Sequence, residues 1–239
     1  MKFSSPLIEG RLIRRYKRFL ADVQLTSGET VTAHTANTGA MTGCAEPGSR
    51  VWLSRSSNAK RKYPLTWELV QVDAAQPTLL GINTQLSNSL VAEAIESGVI
   101  TELQGYAQLR REVRYGAENS RIDLLLQQQQ RPPCYVEVKN VTLVQGATGY
   151  FPDAVTARGT KHLRELAGMV AQGCRAVIFY CVQRNDVGEV RPARHIDAAY
   201  AATLQQVMEQ GVEALAYRAL VSPREIALTE SVPVNLAVG

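Results

Sequence analysis

Cysteine and histidine are scarce in this sequence, and neither occurs in a pattern typical of a metal site. The 239 residues include four cysteines and three histidines. No two cysteines form a C-x-x-C pair and the histidines lack ligand spacing, which argues against a zinc site. The wide separation of the cysteines also argues against a disulfide framework and favours buried thiols in a reducing compartment. They are Cys44, Cys134, Cys174 and Cys181.

Long apolar segments are absent as well. The longest apolar run covers residues 176–182, far fewer than the roughly 20 residues that a membrane-spanning helix needs. Lys2, Glu9 and Arg11 interrupt the start of the chain, unlike the apolar core of a secretory signal peptide. We therefore expect a cytoplasmic (cytosolic) protein, whose apolar residues, 45% of the total, suffice for a sizeable core.

Positive charge is concentrated in the first quarter of the chain. Residues 1–62 contain 11 Lys and Arg but 4 Asp and Glu, whereas the remaining residues contain 15 and 18, respectively. This asymmetry favours a polyanionic partner, and a solvated basic face is the alternative. Interleaved aromatic residues suit a surface that tracks phosphates and stacks bases. The residues predicted to bind DNA, single- or double-stranded and without sequence specificity, are Arg11, Arg14, Arg15, Lys17, Arg18, Arg55, Lys60, Arg61, Lys62 and Tyr63.

Short strands characterise residues 1–82, which we predict to form a first domain. Clusters of Gly, Pro, Asn and Ser between them mark turns. So many short strands in this length predict a small OB-like β-barrel, a fold that binds nucleic acid on its strand face. We expect Phe19 and Trp52 in the barrel core, and Tyr63 at the surface. The predicted strands cover residues 19–25, 30–36, 51–54, 65–72 and 78–82.

Helical and strand patterns alternate in residues 83–239, which we predict to form a second domain. Its first helix is capped by Ser87 or Asn88 and ends at Gly98. The order helix, three strands, helix, strand, helix, strand predicts a mixed sheet flanked by helices, an α/β domain. The strands are predicted at residues 111–115, 122–126, 134–139, 176–182 and 212–220, and the later helices at residues 161–171 and 197–210.

A pair of carboxylates is predicted on adjacent strands. Asp123 stands inside an otherwise apolar strand, where a carboxylate is costly unless it has a partner or binds a metal. In the next strand, alternation places Glu137 and Lys139 on one face. If the two strands form a hairpin, Asp123 lies beside Glu137. These carboxylates and the carbonyl of Val138 predict a site for Mg²⁺ or Mn²⁺. Lys139 is expected to orient the attacking water or to stabilise the charge that develops on a phosphodiester.

The spacing D-x13-E-x-K after an initial helix is the pattern of restriction-endonuclease-like, or PD-(D/E)xK, nucleases, and the predicted element order agrees with that fold. In that fold the first helix often supplies a further carboxylate. We prefer Glu93 for this position, because it borders the apolar stripe of the helix, and hold Glu112 in reserve. The alternative is that Glu137 and Lys139 form a surface ion pair on a half-exposed strand.

Two further segments are rich in polar groups. Residues 151–162 precede or open the helix that borders the active site in nucleases of this fold. Arg158, Lys161 and His162 are therefore candidates to face the scissile phosphate or the metal-bound water, and an ordinary solvated helix start is the alternative. The other segment covers residues 34–39, and Asn37 in it is expected to form a turn. We interpret His195 as structural.

Four motifs in this order resemble the sugar fermentation stimulation protein A (SfsA) family: HTANTG, SRIDLLL, YVEVKNVTLV and FPDAVTARGTKHLREL. The resemblance extends over essentially the whole chain. It implies an N-terminal OB-like domain, a C-terminal nuclease-like domain, non-specific DNA binding and a regulatory link to the use of sugars, especially maltose. One departure is Ala157, where the family pattern leads us to expect an acidic residue.

Two functions follow from these patterns as hypotheses. In the first, the protein is a DNA-binding regulator that keeps the nuclease fold without cutting. In the second, it is a nuclease that hydrolyses phosphodiester bonds with a divalent metal. The D…E-x-K pattern favours the nuclease, whereas the family description favours the regulator, and both require DNA binding.

Overall fold

The computed structural model describes residues 1–58, 60–73, 76–116 and 120–237. Helices and strands follow one another as β1 (Ile8–Tyr16), β2 (Leu20–Leu25), β3 (Thr30–Thr35), β4 (Arg50–Arg55), β5 (Leu65–Asp73), β6 (Pro77–Gly81), α1 (Ser87–Glu96), β7 (Gln108–Tyr115), β8 (Ser120–Gln128), β9 (Arg131–Val141), β10 (Leu143–Gln145), β11 (Thr148–Phe151), α2 (Ala157–Ala171), β12 (Arg175–Val182), β13 (Glu189–Pro192), α3 (Ala198–Glu209), β14 (Glu213–Val221) and β15 (Ile226–Ser231).

The first five strands form a closed barrel. Neighbouring strands pair antiparallel except β3 and β5, which pair in parallel from Ala33 and Leu65 and thereby close the ring. Strand β6 extends the sheet from β5. Leu53 and Trp67 are fully buried in the core. The OB-like barrel predicted from the sequence is therefore confirmed.

A mixed sheet in the order β15-β14-β12-β9-β8-β7 forms the centre of the second region. The central strand β12 pairs in parallel with β9 and β14 and is buried on both faces, as its apolar sequence predicts. Helix α1 and the barrel residues Trp52 and Leu69 cover one face, whereas α2 and α3 cover the other. This is the predicted restriction-endonuclease-like α/β arrangement.

The structure differs from the sequence prediction at several elements. Strand β1 is absent from the prediction, because basic residues occupy its exposed positions and obscure the alternation. The small sheet of β10, β11 and β13 was not expected, and β15 follows the strand predicted to be the last. Helix α2 begins at Ala157 rather than residue 161, because Thr156 caps it by accepting the Gly159 N–H on Oγ1 at 3.0 Å.

Phe19 is the one aromatic residue whose predicted burial is wrong. Its side chain is 45% exposed, whereas Trp52 is buried as expected. The turn between β1 and β2 explains the difference. Lys17 and Arg18 there adopt left-handed φ angles of 49° and 64°, and this turn leaves Phe19 outside the barrel beside two cations.

The thiols lie mostly in the interior. Burial raises the pKa of Cys134 and of Cys181 to about 12, so both remain protonated and unreactive at neutral pH. Cys44 is also buried, and Cys174 is half-buried. Within the described ranges, no helix combines the length and the apolar character needed to cross a membrane.

Candidate active-site pocket

The antiparallel hairpin of β8 and β9 brings the two predicted carboxylates together. Leu124 pairs with Val136, and one further step in this register sets Asp123 opposite Glu137. The N–H of Val138 donates to Asp123 Oδ2 at 2.7 Å. Strand alternation therefore produces a pair of carboxylates on one face of the sheet.

Asp123 is held in its apolar strand by two hydrogen bonds. Besides the N–H of Val138, the side chain of Asn88 on α1 donates from Nδ2 to Asp123 Oδ1 at 2.8 Å. Burial, followed by the charge of Glu137, raises the pKa of Asp123 to about 6. The hydrogen bonds and the charge of Lys139 offset only part of this shift. A cation bound beside Asp123 would favour its ionised form.

Glu137 is buried in a network that satisfies one of its two oxygens. Its Oε1 accepts from Lys139 Nζ at 2.7 Å and contacts Nδ1 of His162. Arg158 donates from Nε to Nε2 of His162 at 3.3 Å. Arg158 therefore approaches one ring nitrogen of His162, while the other faces Glu137. Burial alone would raise the pKa of Glu137, but the hydrogen bonds and charges of His162 and Lys139 hold it below its ordinary value.

The second oxygen of Glu137, Oε2, is buried and has no hydrogen-bond partner within the described part of the chain. Glu137 lines a cavity of about 420 Å³, together with Asp123, Val138 and Lys139. An unpartnered carboxylate oxygen near a second carboxylate fits a divalent cation that prefers oxygen ligands. Among the described residues, no three His, Cys, Asp or Glu side chains cluster around one point. The candidate donors are therefore Asp123, Glu137 and the carbonyl of Val138.

The structure does not bring the preferred third carboxylate to this cavity. Glu93 is 54% exposed and pairs with the amino group of Met1 at 2.9 Å. Helix α1 faces the pocket with Asn88, and a residue five positions later is rotated by roughly 140° from it. Glu112 lies closer, because it accepts from the same Asn88 Nδ2 at 3.4 Å, but it does not line the cavity either.

The barrel supplies one wall of the cavity, which the sequence analysis missed. Asn37, Thr38 and Gly39 line it, and Asn37 forms the expected turn by accepting the N–H of Gly39 on Oδ1 at 2.8 Å. Two arginines hold this loop by its carbonyls. Arg15 donates from Nη2 to the carbonyls of Asn37 and Gly39, both at 3.0 Å, and Arg18 donates to that of Thr38, also at 3.0 Å.

The segment that leads into α2 contributes further lining. Asp153, which was not among the predicted site residues, lies against the barrel loop. A Cβ atom at Gly39 would collide with Asp153 Oδ2, so a larger residue at position 39 would require the Asp153 side chain to shift. Arg158 and His162 line the cavity, whereas Lys161 on the same helix does not. Both motifs are visible in the sequence, but their meeting depends on how the domains pack.

The predicted DNA-binding residues divide into two groups. The first group is engaged within the protein: Arg14 pairs with Asp22 at 2.9 Å, and hydrogen bonds hold Arg11, Arg15, Arg18 and Arg61. The second group is exposed and has no acidic partner among the described residues. It consists of Lys17, Arg55, Lys60 and Lys62, the last with its ammonium 5.4 Å from the ring centre of Tyr63.

The protein joins a closed OB-like barrel to a restriction-endonuclease-like sheet. Both regions line the cavity that contains the D…E-x-K carboxylate pair. These features define a barrel-linked, nuclease-like protein. Two family models match the chain: the SfsA N-terminal OB domain over residues 13–81, and the sugar fermentation stimulation protein RE domain over residues 85–225. The chain belongs to the sugar fermentation stimulation protein (SfsA) family, as its motifs predict.

Individual relatives match over nearly the full length. The chain is 59% identical over 236 residues to a sugar fermentation stimulation protein homolog of Geobacter metallireducens, covering 99% of this chain and 100% of the relative. It is 55% identical to a homolog of Shewanella loihica with the same coverage. The structure of Pyrococcus furiosus SfsA in complex with Ca²⁺ matches with a TM-score of 0.87 and 26% identity, covering 98% of both chains.

Proposed function

We propose that this protein binds DNA without sequence specificity and hydrolyses phosphodiester bonds at the Asp123–Glu137 pocket with Mg²⁺ or Mn²⁺. The observation that carries the proposal is the buried, unpartnered Oε2 of Glu137 in a cavity that it shares with Asp123 and Lys139. A relative of the same fold is described in complex with Ca²⁺, a cation that prefers oxygen ligands.

Each side chain of the pocket has a role in this proposal. Asp123 and Glu137, with the carbonyl of Val138, would hold the metal, which when bound supplies Lewis-acid polarisation of the phosphodiester. Lys139 places an ammonium beside Glu137 and stabilises charge that develops on the phosphate. His162 donates to Glu137 and fixes its orientation, while Arg158 holds the ring from the opposite nitrogen.

DNA binding in this proposal depends on the exposed basic group of the barrel. Lys17, Arg55, Lys60 and Lys62 have no acidic partner among the described residues and can displace counterions from phosphates. Phe19 is exposed beside the β1–β2 turn and offers a face for stacking. Affinity should therefore depend steeply on salt and little on base sequence.

A second candidate function is DNA binding without cleavage, linked to the regulation of sugar use. The link to sugars rests on the family name. One structural observation favours a site without catalytic activity: most of the carboxylate oxygens in the pocket already accept hydrogen bonds from the protein's own groups. Both Asp123 oxygens accept hydrogen bonds, and Glu137 Oε1 is held by Lys139 and His162.

Cleavage assays with Mg²⁺ and Mn²⁺ test the proposal on single-stranded, duplex and branched DNA and on RNA. The wild type should cut and Asp123→Ala should not, whereas Asp73→Ala, which removes an exposed carboxylate outside the pocket, should cut like the wild type. Calorimetry with Mn²⁺ provides a readout independent of activity. Equal Mn²⁺ binding by the wild type and Asp123→Asn would contradict the metal site, and inertness of a metal-loaded wild type would leave only the binding function.

A further inference from the structure

A second cavity lies next to the small sheet of β10, β11 and β13. Its volume is about 350 Å³, within the range of small-ligand sites. The last described residues of the chain form one side, with Leu236 in the lining, and Val234 bridges to Val190 of β13. Tyr150 of β11 and Arg191 of β13 are register partners and form the other side. None of these residues lines the cavity of Asp123 and Glu137, named the metal pocket after the ion that is proposed to bind there.

The lining of this cavity combines aromatic rings with cations. The rings of Tyr150 and His195 meet edge to face, with centroids 5.5 Å apart and planes at 82°. Arg194 and His195 are exposed, and the side chain of Arg194 has no ion-pair or hydrogen-bond partner in the described ranges. Arg191 pairs with Glu189 at 2.8 Å. Among the described residues, no Asp or Glu side chain lines the cavity.

This combination suits a nucleotide better than another small ligand. A nucleobase stacks on aromatic rings and on guanidinium planes, and the unpaired guanidinium of Arg194 offers two or more donors to a phosphate. A carboxylate metabolite would leave the rings without a partner, and an apolar ligand would bury the charge of Arg194. The edge-to-face contact alone would be ordinary packing, but His195 is exposed and stands at a cavity rather than in a core.

The position of this cavity relates it to the metal pocket. Tyr150 lines the new cavity and Asp153 lines the metal pocket, and the three Cα-to-Cα steps from one to the other span at most about 11 Å. Asp197 accepts the N–H of Thr156 at 2.8 Å and so ties the loop after His195 to the same segment. Both cavities therefore lie along one short stretch of chain.

We propose that Tyr150, Arg194 and His195 form a subsite for one nucleotide of a nucleic-acid strand, close along that strand to the phosphate held in the metal pocket. The base stacks on the ring pair, and the phosphate bonds to Arg194. The inference rests on the proposed function only in that nucleic acid is the ligand. It requires no cleavage, and it is tested without metal.

Fluorescence anisotropy measures the affinity of the metal-free protein for a labelled single strand of about 12 nucleotides, within the site sizes of such proteins. Arg194→Ala and His195→Ala should each weaken binding roughly 5- to 20-fold, the scale of one lost stacking or charge-assisted contact. Arg224→Ala removes an exposed arginine outside both cavities and is the charge-matched control, expected to change affinity less than about twofold.

Three comparisons decide the outcome. In the first, the wild type binds DNA, and the two variants keep the wild-type melting temperature but bind DNA as tightly as Arg224→Ala does. This result would contradict the subsite and leave the proposed function standing. If the wild type binds no nucleic acid, both fail. A strand with one abasic position should lose affinity for the wild type but not for His195→Ala. Equal affinity of the wild type for free dAMP and for the strand would overturn the placement on a strand.

Discussion

Charged side chains are held in opposite ways in the barrel and in the metal pocket. Asp123 and Glu137 are buried and accept hydrogen bonds from named partners at 2.7–2.8 Å, and these neighbours shift their pKa values. Lys60 and Lys62 of the barrel are exposed. A buried charge depends on its few neighbours, whereas an exposed one acts through the summed field and is screened by salt. Changes in the pocket should therefore be large and specific, and those on the barrel graded and salt-dependent.

The largest effect is expected at Lys139. Lys139→Ala should reduce cleavage roughly 10²- to 10³-fold, the scale for removing one group that stabilises transition-state charge. Mn²⁺ and DNA binding should persist, because they depend on the carboxylates and the barrel. Lys139→Arg should restore little activity, since a planar guanidinium does not replace a compact ammonium. Single-turnover kinetics on a labelled oligonucleotide measure these rates.

The control for this experiment is Arg164→Ala, which removes an exposed cation of α2 outside the cavity and should cut at the wild-type rate. A Lys139→Ala protein as active as this control would exclude an electrostatic role for the ammonium. If the wild type and Lys139→Ala are equally inert with metal bound, the regulator function is the one that remains.

The exposed basic group should dominate DNA affinity. Replacing Arg55, Lys60 and Lys62 with alanine should lower the slope of log affinity against log salt by about 2–3 units, because roughly one counterion is released for each phosphate contact. A double variant of Arg164 and Arg224 controls for loss of charge elsewhere and should keep the slope. If the triple variant keeps the slope of the wild type, these three residues are excluded from the DNA-binding surface.

Arg15 should affect stability rather than DNA binding. Its alanine variant leaves the carbonyls of Asn37 and Gly39 without a donor, which should lower the free energy of unfolding by about 1–3 kcal/mol. Arg11→Ala removes one exposed hydrogen bond to Gly48 and should cost less than about 0.5 kcal/mol. Urea unfolding measures both. If Arg15→Ala is as stable as the wild type but its slope of log DNA affinity against log salt is lower, Arg15 contacts DNA.

The smallest effect is expected from the charge of Asp123 in the metal-free protein. Its pKa of about 6 exceeds that of the unfolded chain, so its contribution to stability is present below about pH 4 and is lost as pH rises through 6. Asp123→Asn should therefore be about 1–2 kcal/mol more stable than the wild type at neutral pH without metal, and equal to it or less stable at pH 4. Thermal unfolding across this pH range measures the crossover.

Asp22 provides a control of opposite sign. Burial alone would raise its pKa, but hydrogen bonds from Arg14 and Thr32 lower it. Its contribution is therefore present at neutral pH and is lost as pH falls, so Asp22→Asn should destabilise the protein at neutral pH. Both proteins are compared at neutral pH in EDTA. If Asp123→Asn is less stable than the wild type under these conditions, the raised pKa of Asp123 is contradicted.

Local patterns were sufficient to predict the carboxylate pair. Alternation along β8 and β9 and one hairpin place Asp123 and Glu137 together, and each step involves only neighbouring strands. The barrel was predicted from its turns, even though β1 was missed. Its basic residues Arg11, Arg14 and Arg15 were interpreted as a binding cluster, which hid the strand to which they belong.

Long-range contacts could not be predicted in the same way. That Arg15 holds the loop at Gly39 depends on a contact over 24 positions, and the contact of that loop with Asp153 depends on how the barrel meets the sheet. Glu93 was preferred from a helical stripe, but the rotation of α1 that brings Asn88 to the pocket turns Glu93 away. A periodic pattern identifies a buried face without identifying what that face meets.

The close approach of Gly39 to Asp153 also constrains how a protein of this architecture can evolve. The barrel forms a wall of a cavity whose carboxylates belong to the other domain. Recombination that exchanged the barrel for another small barrel would remove this wall unless the incoming domain presented a glycine loop at the same place. A bulky residue at position 39 would displace the Asp153 side chain from this loop. The two domains are therefore expected to be inherited as one unit rather than shuffled as independent modules.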